Sequence, residues 1–158
     1  TPELPLARID PPPPAQRLAL DGWNRTDAPL PAATLTRLLE QQAERTPDAE
    51  ALRFDDDAVS YRQLHGRANR LARRLKADGV GPETLVAVAL PRSIDLVVSL
   101  LAVLKAGAAY LPLDLDYPAE RIAFMLDDAQ PAALISRADL LGRLPAAGAL
   151  CLDRLDDE

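Results

Sequence analysis

The chain contains one histidine and one cysteine, His65 and Cys151, which are residue types common in nucleophilic and metal-assisted catalysis. A serine triad would have to use His65, but this residue falls inside a predicted helix, where packing is the commoner role. Cys151 falls in a short apolar strand, which is typical of a buried structural thiol. One residue of each type excludes an internal disulfide and a multi-histidine or cysteine-based zinc site.

Acidic residues are plentiful, but their spacing singles out no catalytic pair. The run Asp55–Asp57 lacks the alternating ligands and closing glutamate of a calcium loop, which favours a solvated turn. Neither of the phosphate-binding patterns GxGxxG and GxxxxGKS/T occurs among the seven glycines. The segment 79–82 predicts a turn between a helix and a strand. The residue types alone therefore identify no active site.

The 158 residues are 48% hydrophobic and 27% charged, which is typical of one globular domain. A formal net charge of −6 argues against binding to a nucleic-acid backbone. No apolar run is long enough to span a membrane, and no secretory leader is visible. Together with the single cysteine, these features predict a cytoplasmic location.

Apolar periodicity predicts alternating helices and strands from Ala32 onward. Strands are predicted at 49–54, 85–90, 109–113, 132–135 and 149–152. Helices are predicted from Leu35 to the Thr46-Pro47 pair, at 61–78, at 94–106, from Pro118 onward and at 138–144. Alternation at this spacing predicts right-handed crossovers and a parallel sheet with flanking helices, so the predicted fold class is α/β.

Three residues carry specific signals for the ends of these elements. Ser60, with Gln63 three residues later, forms a capping-box pattern at the start of a helix. Gly107 is expected to end the helix before it in a left-handed conformation. Pro112 would interrupt a hydrogen-bonded ladder, so it predicts a strand end or an edge strand.

The segments around these residues resemble two core motifs of amino-acid-activating adenylation domains in nonribosomal peptide synthetases. Residues 59–64 (VSYRQL) are similar to the first motif, L-T/S-Y-x-E-L, and depart from it at Val59 and Gln63. Residues 104–114 (LKAGAAYLPLD) fill every fixed position of the second, L-K-A-G-x-A-Y-x-P-x-D. The matching residues are Ser60, Tyr61 and Leu64 in the first motif, and Leu104, Lys105, Ala106, Gly107, Tyr110, Pro112 and Asp114 in the second. The continuation to residue 129 is also similar.

Residues 1–31 are expected to form an interdomain linker between a condensation domain and an adenylation domain. This segment holds eight of the 15 prolines, which disfavour regular structure. Within it, the run Trp23–Thr26 (WNRT) resembles the W-N-x-T sequence that marks this linker. Residues 32–158 are expected to form the first part of the large N-terminal subdomain of an adenylate-forming enzyme, with part of its parallel sheet and flanking helices.

The resemblance implies that the complete enzyme uses ATP and magnesium to make an aminoacyl adenylate, and then loads the phosphopantetheine thiol of a carrier protein. It places the phosphate-binding loop, the amino-acid pocket and the catalytic lysine beyond Glu158. We therefore expect no catalytic, cofactor-binding or metal-binding residue in this chain, and no adenylation by the chain alone. Lys105 is expected to act as a helix-end cation.

The expected partners are the remainder of the synthetase: the condensation domain, the rest of the adenylation domain and the carrier protein. The resemblance also implies docking of a small MbtH-like protein. The candidate residues for this surface are Ala108, Ala109, Leu115, Tyr117, Arg121 and Ala123. The alanines could accept protruding aromatic side chains, or they could only permit close helix-to-sheet packing.

Two alternative interpretations remain open from the sequence. The chain could be a non-catalytic docking module for the MbtH-like protein. It could also belong to another adenylate-forming ligase, such as an acyl-coenzyme A synthetase. The linker-like run Trp23–Thr26 and the complete second motif argue against this second alternative.

Overall fold

The computed structural model describes residues 12–144 and 149–155, and the chain divides into two units, residues 1–32 and 33–158. The described part of the first unit contains one helix, α1 (Pro14–Trp23). Pro14 is the first helical residue, where its fixed φ suits the helix and its missing N–H leaves no bond unmade. A helix therefore begins at the last residue of the proline run.

The second unit begins with the helix α2 (Leu35–Arg45) and a β-hairpin. The Thr34 hydroxyl caps α2 by accepting a hydrogen bond from the backbone N–H of Arg37 at 3.3 Å. Strands β1 (Glu50–Phe54) and β2 (Asp57–Ser60) then pair antiparallel. The sequence predicts β1 but not β2, because four residues are too few to show a clear alternation.

Helix α3 (Tyr61–Ala77) follows directly and confirms the capping-box prediction. The Ser60 hydroxyl accepts a hydrogen bond from the backbone N–H of Gln63 at 3.3 Å, and the Gln63 side chain accepts one from the Ser60 N–H at 2.9 Å. The buried residues of α3 are Leu64, His65, Ala68, Leu71, Ala72 and Leu75. The helix ends at Ala77, and Gly79 follows it with a φ of 88°, a value that is easily adopted only by glycine.

The rest of the unit alternates strands and helices. Its elements are β3 (Leu85–Val88), α4 (Ile94–Ala106), β4 (Ala109–Pro112), α5 (Ala119–Ala129), β5 (Ala133–Ser136), a 3₁₀ helix (Ala138–Arg143), β6 (Leu150–Cys151) and α6 (Leu152–Leu155). Strands β3 to β6 form one parallel sheet in the order β4-β3-β5-β6. This sheet with its flanking helices confirms the predicted α/β class.

Strand β3 is buried on both faces of the sheet. Val86 and Val88 belong to a large core that includes residues of α3 and α4. Ala87 and Ala89 belong to a smaller core with Ile122 of α5. Successive side chains of a strand point to opposite faces, so the continuous apolar run of β3 divides between these two cores.

Pro112 and residues 138–144 each test a prediction made from the sequence. Pro112 ends β4, an edge strand of the sheet, as its missing N–H predicts. The helix predicted at 138–144 is a 3₁₀ helix instead, in which the N–H of Leu140 donates to the carbonyl of Arg137 at 3.1 Å. No helix in the described residues is long and apolar enough to cross a membrane.

Candidate functional site

The second motif forms the turn between α4 and β4, and Gly107 is its pivot. Gly107 ends α4 with a φ of 91°, as expected from the sequence. Its N–H donates to the carbonyl of Leu104 at 3.1 Å, and the N–H of Ala108 donates to that of Val103 at 3.2 Å. These bonds satisfy carbonyls at the end of α4 and direct the chain into the edge strand.

Lys105 lies in the last turn of α4, where it was expected to act as a helix-end cation. Its main contact is instead an ion pair across the fold, in which Nζ lies 2.6 Å from Oε1 of Glu40 on α2. Only 8% of the Lys105 side chain is exposed, whereas 39% of the Glu40 side chain is. The sequence could not reveal this partner, because 65 residues separate the two positions.

His65 lies beside this ion pair, on the buried side of α3. With Glu40 and Lys105 it lines a cavity of about 480 Å³. Its Nε2 atom is buried without a hydrogen-bond partner among the described residues. Burial lowers the pKa of His65 below its ordinary value, and the charge of Lys105 lowers it further, against weaker opposing effects of Glu40 and the Leu39 backbone. His65 is thus a packing residue whose surroundings favour its neutral form.

The loop between β4 and α5 is held by hydrogen bonds from both sides. A carboxylate oxygen of Asp114, the last motif residue, accepts a bond from the N–H of Asp116 at 2.9 Å. Arg143 of the 3₁₀ helix donates to the carbonyl of Leu115 at 2.7 Å, and its guanidinium lies 3.3 Å from the Asp116 carboxylate. These contacts fix the loop that carries two of the predicted docking residues, Leu115 and Tyr117.

The predicted docking residues do not all lie on the surface. Ala109, Tyr117 and Arg121 are exposed, and Leu115 and Ala123 are partly buried. Ala108 is only 7% exposed and belongs to the large core, so it is not available to a partner. The reason is its position: it follows Gly107 directly, where the chain turns back under α4.

The structure adds Phe124 to this surface, with 68% of the residue exposed. It lies three residues after Arg121 on α5, so the two share a helix face. The Arg121 guanidinium stacks on Tyr117, 4.3 Å from the ring centroid. Sequence reasoning missed Phe124 because the candidate docking residues come from the family resemblance, which does not include this position. Tyr117, Arg121 and Phe124 together are called the α5 stripe below.

The other motif residues range from buried to exposed. Leu64 and Ala106 are buried, and Leu104 is partly buried. Tyr61 begins α3, and its N–H donates to the carbonyl of Ala49 at 3.1 Å. Tyr110 is exposed on the edge strand β4. Both motifs therefore join elements to one another through caps, turns and packing.

Groups that could act as nucleophiles or hold metals are sparse in the described part of the chain. Cys151 is buried, and its Sγ lies 3.6 Å from the carbonyl oxygen of Ala149, as expected for a structural thiol. Across residues 12–144 and 149–155, no group of three or more histidine, cysteine, aspartate or glutamate side chains could hold a metal ion.

Residues 39–156 match the family model described as AMP-binding enzyme. This match covers most of the chain and includes both motifs. The chain belongs to the AMP-binding enzyme family. Family membership confirms the resemblance inferred from the residues around Ser60 and Gly107.

Relatives in this family are peptide synthetases. The chain is 48% identical over 161 residues to phosphinothricin tripeptide synthetase PhsB of Streptomyces viridochromogenes, covering 98% of this chain and 14% of the relative. It is 53% identical over 123 residues to a dimodular nonribosomal peptide synthase of Bacillus subtilis, covering 78% of this chain and 5% of the relative. The chain thus spans a small part of the length of these proteins.

Solved AMP-binding structures share the fold. One is the nonribosomal peptide synthetase FmoA3 with bound alpha-methyl-L-serine-AMP, which is 30% identical and superposes with a TM-score of 0.78 over 88% of this chain and 16% of that chain. Another is the N-terminal subdomain of Klebsiella oxytoca NpsA in complex with 3-hydroxybenzoyl-AMSN, at 29% identity and a TM-score of 0.66 over 75% of this chain and 29% of that chain. These likenesses favour a peptide synthetase over an acyl-coenzyme A synthetase.

Proposed function

We propose that this chain is the first part of an adenylation domain in a nonribosomal peptide synthetase. The complete domain activates an amino acid with ATP and magnesium as an aminoacyl adenylate, and then loads it on the phosphopantetheine thiol of a carrier protein. The observation that carries this proposal is the 48% identity to a tripeptide synthetase across 98% of the chain. The remaining synthetase domains are the partners in this reaction.

In this proposal the residues of the chain are structural. Ser60 and Gln63 cap α3, and Gly107 turns α4 into β4. The phosphate-binding loop, the amino-acid pocket and the catalytic lysine are supplied by the rest of the adenylation domain. Residues 1–31 form the linker from a condensation domain, which the resemblance of Trp23–Thr26 to a linker sequence supports.

A chimera tests this proposal directly. The matching segment of the relative PhsB is replaced by this chain, and amino-acid-dependent ATP–pyrophosphate exchange is measured for the chimera and the parent. We expect the chimera to activate the parent's amino acid, because the segments are 48% identical and share their motifs. A folded, soluble chimera without exchange, next to an active parent, would contradict the proposal.

The chain by itself should show no exchange above background with any amino acid. Electrostatic stabilisation of the transferring phosphoryl group needs positioned cations and backbone donors that the proposal places elsewhere in the domain. Measurable exchange by the purified chain would show that this division of roles is wrong.

We further propose that the loop 114–118 and the α5 stripe form the docking surface for an MbtH-like protein. The specific observation in favour is the exposure of Tyr117 and Phe124 next to the stacked Arg121. Large exposed apolar side chains grouped on one face are typical of interaction sites. The partly buried Ala123 lies between Arg121 and Phe124 in the sequence of α5, and its small side chain suits contact with a protruding side chain of a partner.

Co-purification with an MbtH-like protein tests this surface. Arg121→Glu reverses the charge in the stripe, and Ala123→Trp fills the space beside it, so both should abolish co-purification. Arg70→Glu is the matched control, because it reverses an exposed charge on α3. Undiminished capture by both stripe variants would refute the surface.

A further inference from the structure

The ion pair between Lys105 and Glu40 is unusual because one partner is buried. The side chain of Lys105 is 8% exposed, and its Nζ lies 2.6 Å from a Glu40 carboxylate oxygen. Removing a lysine ammonium from water is unfavourable unless a counter-charge and hydrogen bonds replace the water. Hydrogen bonding by Lys105 is the main cause that lowers the pKa of Glu40 below its ordinary value. The carboxylate is therefore held in its charged form beside the buried cation.

Helix α2, which carries Glu40, packs only shallowly against α3 and α4. None of its residues is buried. Leu39 is only partly buried where it packs against the large core. A helix without a buried apolar face depends on specific contacts for its position, since packing usually supplies most of the stability of a helix. The ion pair is the side-chain polar contact that joins α2 to α4 in the described residues.

Glu40 and Lys105 lie close to the start of the second unit and to the second motif, respectively. α2 is the first helix of the second unit and begins at Leu35, just after the boundary between the units at residues 32 and 33. Lys105 lies two residues before Gly107, the pivot between α4 and β4. The contact thus joins the start of the second unit to the second motif.

We propose that Lys105 is a positioning residue that anchors α2 to α4 through Glu40. The anchor fixes the helix at which the upstream segment joins the second unit. The structural role of Lys105, the lysine of the second motif, is therefore to hold α2, which its position at the end of α4 does not reveal. Under the proposed function, the anchored helix receives the linker from the condensation domain. That last step rests on the proposed function, whereas the anchoring of α2 does not.

Hydrogen exchange measured by mass spectrometry tests the anchor without requiring any enzymatic activity. Lys105→Met keeps a long side chain but removes the charge, and Glu40→Gln keeps the shape of the other partner. We expect protection of the α2 amides to fall about fivefold to tenfold in both variants, as for an ion pair with one buried partner. Protection in α4 and β3 should stay within about twofold of the wild type, since those elements belong to the core.

The double variant and a matched control sharpen this test. Glu40→Gln combined with Lys105→Met should lower α2 protection no more than either single change, because both remove the same contact. Arg70→Met removes an exposed cation of α3 that does not line the groove beside Glu40, and it should leave α2 unchanged. Unchanged α2 protection in the single variants would refute the anchor. So would an equal loss across α2, α4 and β3 in Glu40→Gln, which would make the pair a general determinant of folding.

The pH profile separates an anchor from a simple packing contact. The charged and titratable groups around Glu40 are Arg37 and Glu44 on its own helix, Arg62, His65, Arg73 and Lys76 on α3, and Lys105 on α4. The pKa values of His65 and Glu40 are both lowered. The unfolded state therefore binds a proton at His65 below about pH 6.5 and at Glu40 below about pH 4.5, so α2 protection should be full at pH 7, begin to fall below about 6.5 and fall further below about 4.5. Glu40→Gln combined with His65→Gln should remove this dependence, and a profile that persists in the double variant would contradict the proposal.

Discussion

Gly107 offers a quantitative test of how the second motif directs the chain. Its φ of 91° lies where side chains other than glycine are strained. A Cβ at this position would meet Pro82 at 3.6 to 3.8 Å, which is ordinary van der Waals contact. The effect of Gly107→Ala should therefore come from the backbone conformation and not from a clash.

Two opposing effects determine how much Gly107→Ala changes the free energy of unfolding. The left-handed conformation disfavours alanine by roughly 1–2 kcal/mol relative to glycine. Alanine also restricts the unfolded chain, which stabilises the folded state by about 0.4–1 kcal/mol. The net result for Gly107→Ala is a loss of about 1 kcal/mol in the free energy of unfolding.

Urea unfolding of the purified chain measures this loss. With a urea m-value of roughly 2 kcal/mol/M, the midpoint should fall by about 0.5 M while the m-value stays constant. Gly66→Ala is the matched control, because Gly66 lies inside α3 with only Arg70 Nη1 near its Cβ position, at 3.8 Å. That variant should raise the midpoint, since alanine is favoured over glycine in a helix by about 0.8–1.0 kcal/mol.

Two outcomes would refute this reasoning about Gly107. Equal midpoints for Gly107→Ala and the wild type would mean that the turn relaxes without strain. A loss above roughly 3 kcal/mol would exceed the backbone effect and make contact with Pro82 the deciding factor. A fall in the midpoint of Gly66→Ala would show that helix propensity does not transfer to this chain.

Three further changes test other parts of the fold by the same unfolding measurement. Ser60→Ala removes the cap of α3 and should lower stability by about 1 kcal/mol; no loss would mean that water replaces the hydroxyl. Leu75→Ala empties a fully buried site and should lower stability by about 3 kcal/mol, and a loss below roughly 1 kcal/mol would mean that the core collapses around the site. The lowered pKa of His65 means that the unfolded state binds more protons, so the wild type should lose stability as the pH falls below about 6.5. His65→Gln should lose less stability between pH 7.5 and pH 5.5, and equal losses in the two proteins would contradict the role of this residue.

Most element boundaries of the second unit follow from local chemistry that the sequence displays. The capping box at Ser60 and Gln63 starts α3 as predicted, and Gly107 ends α4 as predicted. These signals work because caps and glycine turns depend on neighbours within a few residues. The strand β2 escaped prediction because its four residues carry too little periodicity.

The candidate surface shows the limit of the same reasoning. The loop residues and Arg121 were predicted from a resemblance, and the structure leaves Tyr117 and Arg121 exposed. The burial of Ala108 and the exposure of Phe124 were not predictable from the motif. Burial depends on which elements pack on each side of a residue, and the pattern of one helix or strand does not contain that information.

The sequence by itself determined the α/β class, the start of α3, the turn at Gly107 and, through its motifs, the family. Each of these depends on periodicity or on chemistry within a few residues. Only the tertiary structure decided that Lys105 is buried against Glu40, since chain folding alone brings together residues 65 positions apart. The physical reason is that a buried charge takes whichever partner the packing of helices supplies, and that packing is a property of the whole unit.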